Sequence, residues 1–193
     1  MNEVVFFLEE ESAKALLEQI FPLLIPSGSQ VRPRFIVFEG KQDLEKQLPN
    51  KLRGYVNPRA SFIVMRDQDK VDCRKAKRFL AALCARAGRP QTTVRIACRE
   101  LEAFYLGDLL AVELGLGIRG LAGKQNKAKF RDPDRLVCPS RELEKLTSNR
   151  YQKVAGSRAI APHLNLQAPR SRSFHHLIQA IRCASGDLLG SKG

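Results

Sequence analysis

Residues 61–69, Ser61-Phe62-Ile63-Val64-Met65-Arg66-Asp67-Gln68-Asp69, join an apolar run of strand length to two closely spaced aspartates. An apolar run of this kind is typical of a strand that is buried on both faces of a parallel sheet. Ligands of open α/β sheets bind beyond the carboxyl ends of the strands, so Asp67 and Asp69 are expected at the functional edge. Two carboxylates this close repel each other, and a hard divalent cation relieves the repulsion. The same pattern also fits a polar loop in which Asp72 caps the next helix.

Hydrophobic periodicity divides the first part of the chain into alternating strands and helices. Apolar runs of strand length occupy residues 4–8, 35–38, 61–66 and 92–98. Apolar residues recur at helical spacing over residues 13–24, 41–53 and from 73 to about 88. Repeated strand–helix order is typical of a right-handed α/β fold. We therefore predict a mostly parallel four-stranded sheet flanked by helices.

The pattern changes after Gly115. Residues 115–129 are rich in Gly and Lys and indicate a loop, and short helices are predicted at 140–147 and 173–184. The basic stretch between them, residues 151–173, is expected to wrap around the core. We predict an α/β core over residues 1–114 and a basic helical C-terminal extension, 115–193, packed on it.

Composition limits the class of protein. The chain has 193 residues and is 44% hydrophobic, enough for a sizeable core, yet no apolar run approaches the ~20 residues that span a bilayer. Five cysteines without a Cys-x-x-Cys pair argue against a disulfide framework or a zinc site. Three histidines supply a histidine-centred site poorly. With no signal-peptide pattern at the N-terminus, we expect a cytoplasmic protein without a membrane partner.

The net charge of +13 is unevenly distributed along the chain. Residues 1–114 carry 18 basic and 15 acidic residues, whereas residues 115–193 carry 15 basic and 5 acidic ones. A basic last third suits a polyanion such as nucleic acid. The alternative is a solvated basic surface that aids solubility.

The carboxylates that we consider as metal ligands follow three of the four predicted strands. Glu9 follows the first, Asp67 and Asp69 the third, and Glu100 and Glu102 the fourth. In a parallel sheet these strand ends lie at one edge, so the carboxylates are expected to lie close together. Such a cluster needs a counter-charge. Oxygen-only ligation fits Mg²⁺ or Mn²⁺ and the metal-assisted chemistry of phosphate esters.

This arrangement resembles the Toprim fold, which carries a glutamate after its first strand and an Asp-x-Asp after its third. The chain is similar along nearly its whole length to the bacterial family called domain of unknown function 4276, a Toprim-like group. The resemblance rests on the joint order of short landmarks at residues 8–13, 38–41, 67–73, 96–108, 130–134, 153–163 and 171–174.

The resemblance implies a Toprim-type nuclease related to overcoming-lysogenization-defect nucleases. By position it implies that Glu9 is a metal ligand or general acid/base, that Asp67 and Asp69 are metal ligands, and that Glu100 and Glu102 serve a second metal. It also implies an ABC- or AAA-type ATPase partner in a phage-defence module.

The chain departs from the Toprim pattern at two positions beside the predicted ligands. Glu10 stands where the fold has a glycine, and Arg66 stands where an apolar residue is expected. Glu10 is open to a second interpretation as a solvated residue at a helix N-terminus, where the helix dipole favours acids. Arg66 is able to pair with a carboxylate and weaken metal binding.

Arginines in the basic last third are candidates for phosphate contacts because a guanidinium binds phosphate with two hydrogen bonds. We predict this role for Arg158, Arg170 and Arg172, and also consider Lys41, although a lone lysine is usually a surface residue. Two other function classes compete with a nuclease. One is a non-catalytic regulatory or nucleic-acid-binding partner of an ATPase, and the other is a phosphoryl-transfer enzyme for small substrates.

Overall fold

A computed structural model describes residues 2–190, which form a four-stranded, entirely parallel sheet flanked by helices. The strand order is β2-β1-β3-β4. The α/β fold class and the four-stranded parallel sheet are therefore confirmed. The strands are β1 (Glu3–Leu8), β2 (Arg32–Val37), β3 (Ala60–Asp67) and β4 (Thr93–Ala97). The helices are α1 (Glu11–Leu24), α2 (Lys41–Arg53), α3 (Cys73–Arg86), α4 (Glu102–Leu106), α5 (Leu109–Leu116), α6 (Pro139–Leu146), α7 (Lys153–Ile160) and α8 (Arg172–Gly190).

The two central strands are buried on both faces, as their continuous apolar runs indicate. Residues 4–8 of β1 are completely inaccessible to solvent. Successive side chains of a strand point to opposite faces, so β1 and β3 contribute to two separate cores. Phe6 and Met65 belong to the larger core, with α1, α5 and α8, whereas Phe7 and Val64 belong to a second core under α2 and α3.

The helices agree with the sequence-based expectations in some places and differ from them in others. Helix α1 contains Pro22 in its last turn and still continues to Leu24. A proline there removes only its own backbone N–H from the hydrogen bonds of the helix. Asp72 caps α3 by accepting a hydrogen bond from the Lys75 amide at 2.9 Å, so the capping interpretation of this loop is correct. Helices α4, α5 and α7 were not predicted. They are only five to eight residues long, too short for a clear periodic signal.

The C-terminal part shares the larger core with the strands. Helix α7 packs against α1 and α5, and its Ile160 is fully buried in the same cluster as β1. A β-carbon at Gly115 would lie 2.6 Å from the Ala159 carbonyl oxygen, so only glycine permits this approach of α5 to α7. The predicted boundary at residue 114 falls inside α5. The division into a core and an extension stays a prediction.

Candidate functional site

The carboxyl ends of β1 and β3 bring Glu9 and Asp67 into contact. The strands pair in register up to Leu8 and Met65, so Glu9 follows β1 beside the last residues of β3. The Asp67 amide donates a hydrogen bond to Glu9 Oε2 at 3.0 Å. Pairing of β3 with β4 then places Ala97 opposite Asp67. Three strand ends therefore meet around Asp67.

The loop after β4 is fastened to the loop after β3 before it enters α4. The Gln68 amide donates to the Ala97 carbonyl at 2.9 Å, and the Asp69 amide donates to the Arg99 carbonyl at 3.0 Å. Asp69 and Arg99 both adopt left-handed backbone conformations, with φ of 56° and 65°. This backbone geometry turns the chain so that Glu102 becomes the first residue of α4.

Glu102 is the most buried carboxylate of the site, with no solvent-accessible surface. Its Oε1 accepts a hydrogen bond from the Tyr151 hydroxyl at 3.1 Å, whereas its Oε2 is buried without a hydrogen-bond partner in the described structure. The ring of Tyr151 occupies the space that a side chain at position 156 would need, so Gly156 allows this contact. A buried oxygen without a partner is costly and marks a place where a ligand can be accommodated.

A lysine from the C-terminal part completes the site. Lys153 Nζ lies 3.2 Å from Glu10 Oε2, and the Ser12 hydroxyl donates to the other oxygen of Glu10. Lys153 also interacts electrostatically with Glu102 and Asp67. The site therefore contains four carboxylates, Glu9, Glu10, Asp67 and Glu102, around one ammonium group. We call these five residues the acidic cluster.

Three carboxyl groups of the acidic cluster have raised pKa values. Burial raises the pKa of Asp67 well above its usual range, and the charges of Glu10, Glu102 and Glu9 raise it further. Burial also raises the pKa of Glu102 and that of Glu9. Burial opposes the charge of Lys153, but the carboxylates of Glu10 and Glu102 outweigh it and raise the lysine pKa.

Asp69 and Glu100 have partners outside the acidic cluster. The Asp69 side chain is exposed, and its Oδ2 lies 3.7 Å from an Nη of Arg66. Glu100 Oε2 accepts a hydrogen bond from the Ser140 amide at 2.6 Å, in the first turn of α6. The structure thus brings Glu9, Asp67 and Glu102 together and points Glu100 to a helix N-terminus. The ligand roles of all five carboxylates stay predictions.

Arg66 is buried at the edge of the second core, where Toprim proteins are expected to have an apolar residue. Its Nη1 lies 2.7 Å from Glu45 Oε1 of α2, and its Nε donates to the Asp67 carbonyl at 2.9 Å. Its Nη2 has no hydrogen-bond partner among the described residues. Arg66 therefore fixes the backbone of Asp67 and supplies a positive charge near Asp69.

The donor set fits a hard divalent cation in its chemistry. Carboxylate oxygens are the ligands that Mg²⁺ and Mn²⁺ prefer, and the unpartnered Oε2 of Glu102 is one such donor. Within residues 2–190, however, no group of three or more His, Cys, Asp or Glu residues is already gathered closely enough to hold an ion. Hydrogen bonds to the Asp67 amide and to Lys153 occupy oxygens of Glu9 and Glu10 instead.

The four residues predicted to contact phosphate lie on separate elements. Arg158 on α7, Arg170 before α8 and Arg172 at the start of α8 are exposed, and Lys41 at the start of α2 is half-buried. Arg170 and Arg172 line two different cavities. Their contacts with nucleic acid stay predictions.

Comparison with known proteins identifies the family. The family model described as "Domain of unknown function (DUF4276)" matches residues 8–182. The chain belongs to this family. The fold is similar to a solved structure of the C-terminal region of the Burkholderia pseudomallei OLD protein, with a TM-score of 0.52 and 17% identity. The alignment covers 94% of this chain and 98% of that one. A search of curated proteins found no match.

These findings confirm the family and the Toprim-like fold inferred from the sequence landmarks. At 17% identity the structural similarity speaks for the fold alone. None of the helices in the described part of this DUF4276 chain is both long enough and apolar enough to cross a bilayer.

The sequence did not predict that Lys153 and Glu10 belong to the acidic cluster. Nor did it predict that Tyr151 donates a hydrogen bond to Glu102. Lys153 lies 143 residues after Glu10, so no local pattern connects them. One signal was available, because residues 153–163 form one of the family landmarks and begin with this lysine. Glu10 was recognised only as a departure at a position expected to be glycine.

We predict that Asp67→Asn raises the thermal stability of the metal-free protein at pH 8. The folded-state pKa of Asp67 is raised, so its ionised form is destabilised above the unfolded pKa of about 4. The stabilisation by Asn should therefore shrink as the pH falls toward 5. Asparagine avoids the cost of burying a charge and relieves the repulsion by the neighbouring carboxylates. Each kcal/mol gained in this way corresponds to about 2–4 °C in Tm for a chain of this size.

Differential scanning fluorimetry across this pH range, in EDTA, measures the effect. Glu144→Gln is the matched control because Glu144 is an exposed carboxylate on α6. The control should not change Tm by more than about 1 °C, since such surface substitutions are nearly neutral. A Tm for Asp67→Asn that is lower than wild type at pH 8 would contradict the predicted repulsion.

Proposed function

We propose that this DUF4276 protein is a Mg²⁺- or Mn²⁺-dependent nuclease. The observation that carries the proposal is the acidic cluster, in which Glu9, Asp67 and the buried Glu102 converge on one edge of a Toprim-like sheet. Its carboxylates remain under-compensated by a single lysine. Perturbed titratable groups that meet at the carboxyl ends of parallel strands are typical of a catalytic site.

Within this proposal Glu9, Asp67 and Asp69 hold the catalytic metal, and Glu102, with Glu100, holds a second. The divalent cation supplies a Lewis acid that polarises a phosphoryl oxygen. Glu100 has to leave the Ser140 amide to take part, so Glu102 is the stronger candidate of the pair. Arg66 holds the Asp67 backbone in place through its hydrogen bond to the carbonyl.

Lys153 is proposed to bind the phosphate that reacts. Its ammonium lies at the acidic cluster, paired with Glu10, and it remains partly exposed. An ammonium group binds a phosphate oxygen as a compact point charge and neutralises charge that develops there. A phosphate oxygen would compete with Glu10 for the Lys153 ammonium group.

A second candidate function is that of a non-catalytic partner of an ABC- or AAA-type ATPase. Two contacts favour it, because Lys153 compensates Glu10 and Arg66 compensates Asp69 without any metal. In either function, the relation to overcoming-lysogenization-defect nucleases leads us to propose an ATPase partner and a role in phage defence.

A cleavage assay decides between these functions. The purified protein, alone and with a candidate ABC- or AAA-type ATPase partner, is incubated with end-labelled DNA and RNA in Mg²⁺, in Mn²⁺ or in EDTA. We expect cleavage that requires the divalent ion. Binding of nucleic acid without cleavage in any condition would favour the non-catalytic partner. Hydrolysis of nucleotides but not of polymers would favour a phosphoryl-transfer enzyme for small substrates.

A further inference from the structure

A basic cleft lies along the outer edge of the sheet, away from the acidic cluster. It has a volume of about 600 Å³ and lies between the start of α3, the edge strand β4 and the start of α8. Cationic side chains from all of these elements line it. They are Arg74, Lys77, Arg95, Arg135 and Arg172.

Three of these cations are available to a ligand. The side chains of Arg74, Lys77 and Arg172 are exposed and make no hydrogen bond or ion pair with the rest of the described chain. The others are engaged, because Arg95 Nε donates to the His176 carbonyl at 3.0 Å and Arg135 pairs with Asp132 at 3.2 Å. The cleft therefore carries a surplus of positive charge.

The acidic residues of the cleft do not cancel that surplus. Asp132 is paired with Arg135. Asp134 accepts hydrogen bonds from the Ser171 hydroxyl at 2.6 Å and the Ser173 amide at 2.8 Å, so it fastens the first turn of α8. Both carboxylates thus hold the wall of the cleft in place and leave Arg74, Lys77 and Arg172 uncompensated.

One end of the cleft lies at the carboxyl end of β4. Its wall includes Cys98, which directly follows β4, and Cys73, which begins α3 after the Asp67–Asp69 loop. Ala97, the neighbour of Cys98, is paired with Asp67 of the acidic cluster. Phosphates bound at this end of the cleft would therefore lie next to the strand ends that carry the acidic cluster.

We propose that this cleft binds the sugar-phosphate backbone of a nucleic acid whose adjoining part reaches the acidic cluster. Guanidinium and ammonium groups contact phosphates irrespective of base. The inference rests on the proposed nuclease function for its direction, but the binding itself needs neither metal nor cleavage.

The test compares two triple variants of equal net charge. The cleft variant is Arg74→Ala/Lys77→Ala/Arg172→Ala. The control variant, Arg32→Ala/Lys46→Ala/Lys51→Ala, removes three exposed cations from β2 and α2. Fluorescence anisotropy with a labelled single-stranded oligonucleotide of mixed sequence, in EDTA and at several salt concentrations, gives Kd and its salt dependence for the full-length proteins.

We expect the cleft variant to bind roughly tenfold to hundredfold more weakly at 0.1 M salt, with its slope of log K against log salt reduced by about 2. The control variant should stay within about threefold of wild type, as expected for screened charges outside the site. Equal weakening of both variants, or unchanged binding by the cleft variant, would contradict the proposal that nucleic acid binds in the cleft. A wild-type protein that binds no oligonucleotide would contradict it as well.

A cleavage assay on the same proteins separates the two proposals. If the cleft variant binds the oligonucleotide as tightly as wild type, and wild type cleaves only in the presence of metal, the proposed cleft is wrong and the proposed nuclease function is supported. If the cleft variant loses binding while wild type does not cut in Mg²⁺ or Mn²⁺, the cleft stands and the nuclease fails. An oligonucleotide that protects the Cys73 thiol from alkylation in wild type, but not in the cleft variant, supports the cleft in either case.

Discussion

Asp67→Asn is expected to reduce metal-dependent cleavage by at least about 100-fold. Loss of a residue that only supports a metal ligand costs up to about 100-fold in affinity or activity, and Asp67 is proposed as a ligand itself. Asp67 lies where three strand ends meet, and Glu9, Glu10 and Glu102 all act on its charge. Asparagine keeps the size of the side chain but lacks the negative charge that binds a hard cation. Initial rates of cleavage of an end-labelled substrate, measured over a range of Mn²⁺ concentrations, give the size of the loss.

The predicted rise in Tm of Asp67→Asn in EDTA serves as the folding control for this experiment. Glu144→Gln, with an exposed carboxylate on α6, should cut at the wild-type rate. We also expect Mn²⁺ to raise the Tm of wild type but not the Tm of Asp67→Asn. The reason is that a ligand that binds only the folded protein stabilises it. Cleavage by Asp67→Asn at the wild-type rate would exclude the acidic cluster as the catalytic site.

Gly115→Ala is expected to destabilise the protein by about 1–3 kcal/mol, and more if the helices have to separate. The new β-carbon would lie 2.6 Å from the Ala159 carbonyl oxygen and 2.7 Å from the Ile160 α-carbon. Both are backbone atoms of α7, so no side-chain rotation relieves the contact. Because α7 begins with Lys153, its displacement should also disturb the acidic cluster and lower cleavage.

Gly186→Ala is the matched control for this substitution. Gly186 also lies in a helix, but a β-carbon there would meet no atom within 4 Å. Alanine at such a position should stabilise the protein by about 0.5–1 kcal/mol through its higher helix propensity. Urea unfolding curves of the three proteins measure both effects. Equal stability of Gly115→Ala and wild type would show that α5 and α7 are free to move apart.

Strand-forming segments were the part of the fold most open to sequence-based prediction. Residues 62–65 and residues 4–8 are apolar without interruption, and burial on both faces of a parallel sheet suits such segments. The short helices α4, α5 and α7 gave no comparable signal. Their positions depend on contacts such as that of Gly115 with Ala159, which join residues far apart in sequence.

The parallel α/β sheet and the carboxylates at its strand ends could be predicted from the sequence, because hydrophobic periodicity and chain order are local properties. The charged groups that meet at those strand ends are set by the packing of the whole fold. It brought Lys153 to Glu10, directed Glu100 to the Ser140 amide, and buried Arg66 against Glu45. These pairings depend on how distant helices pack and on the directions of single side chains, and the composition of a strand fixes neither.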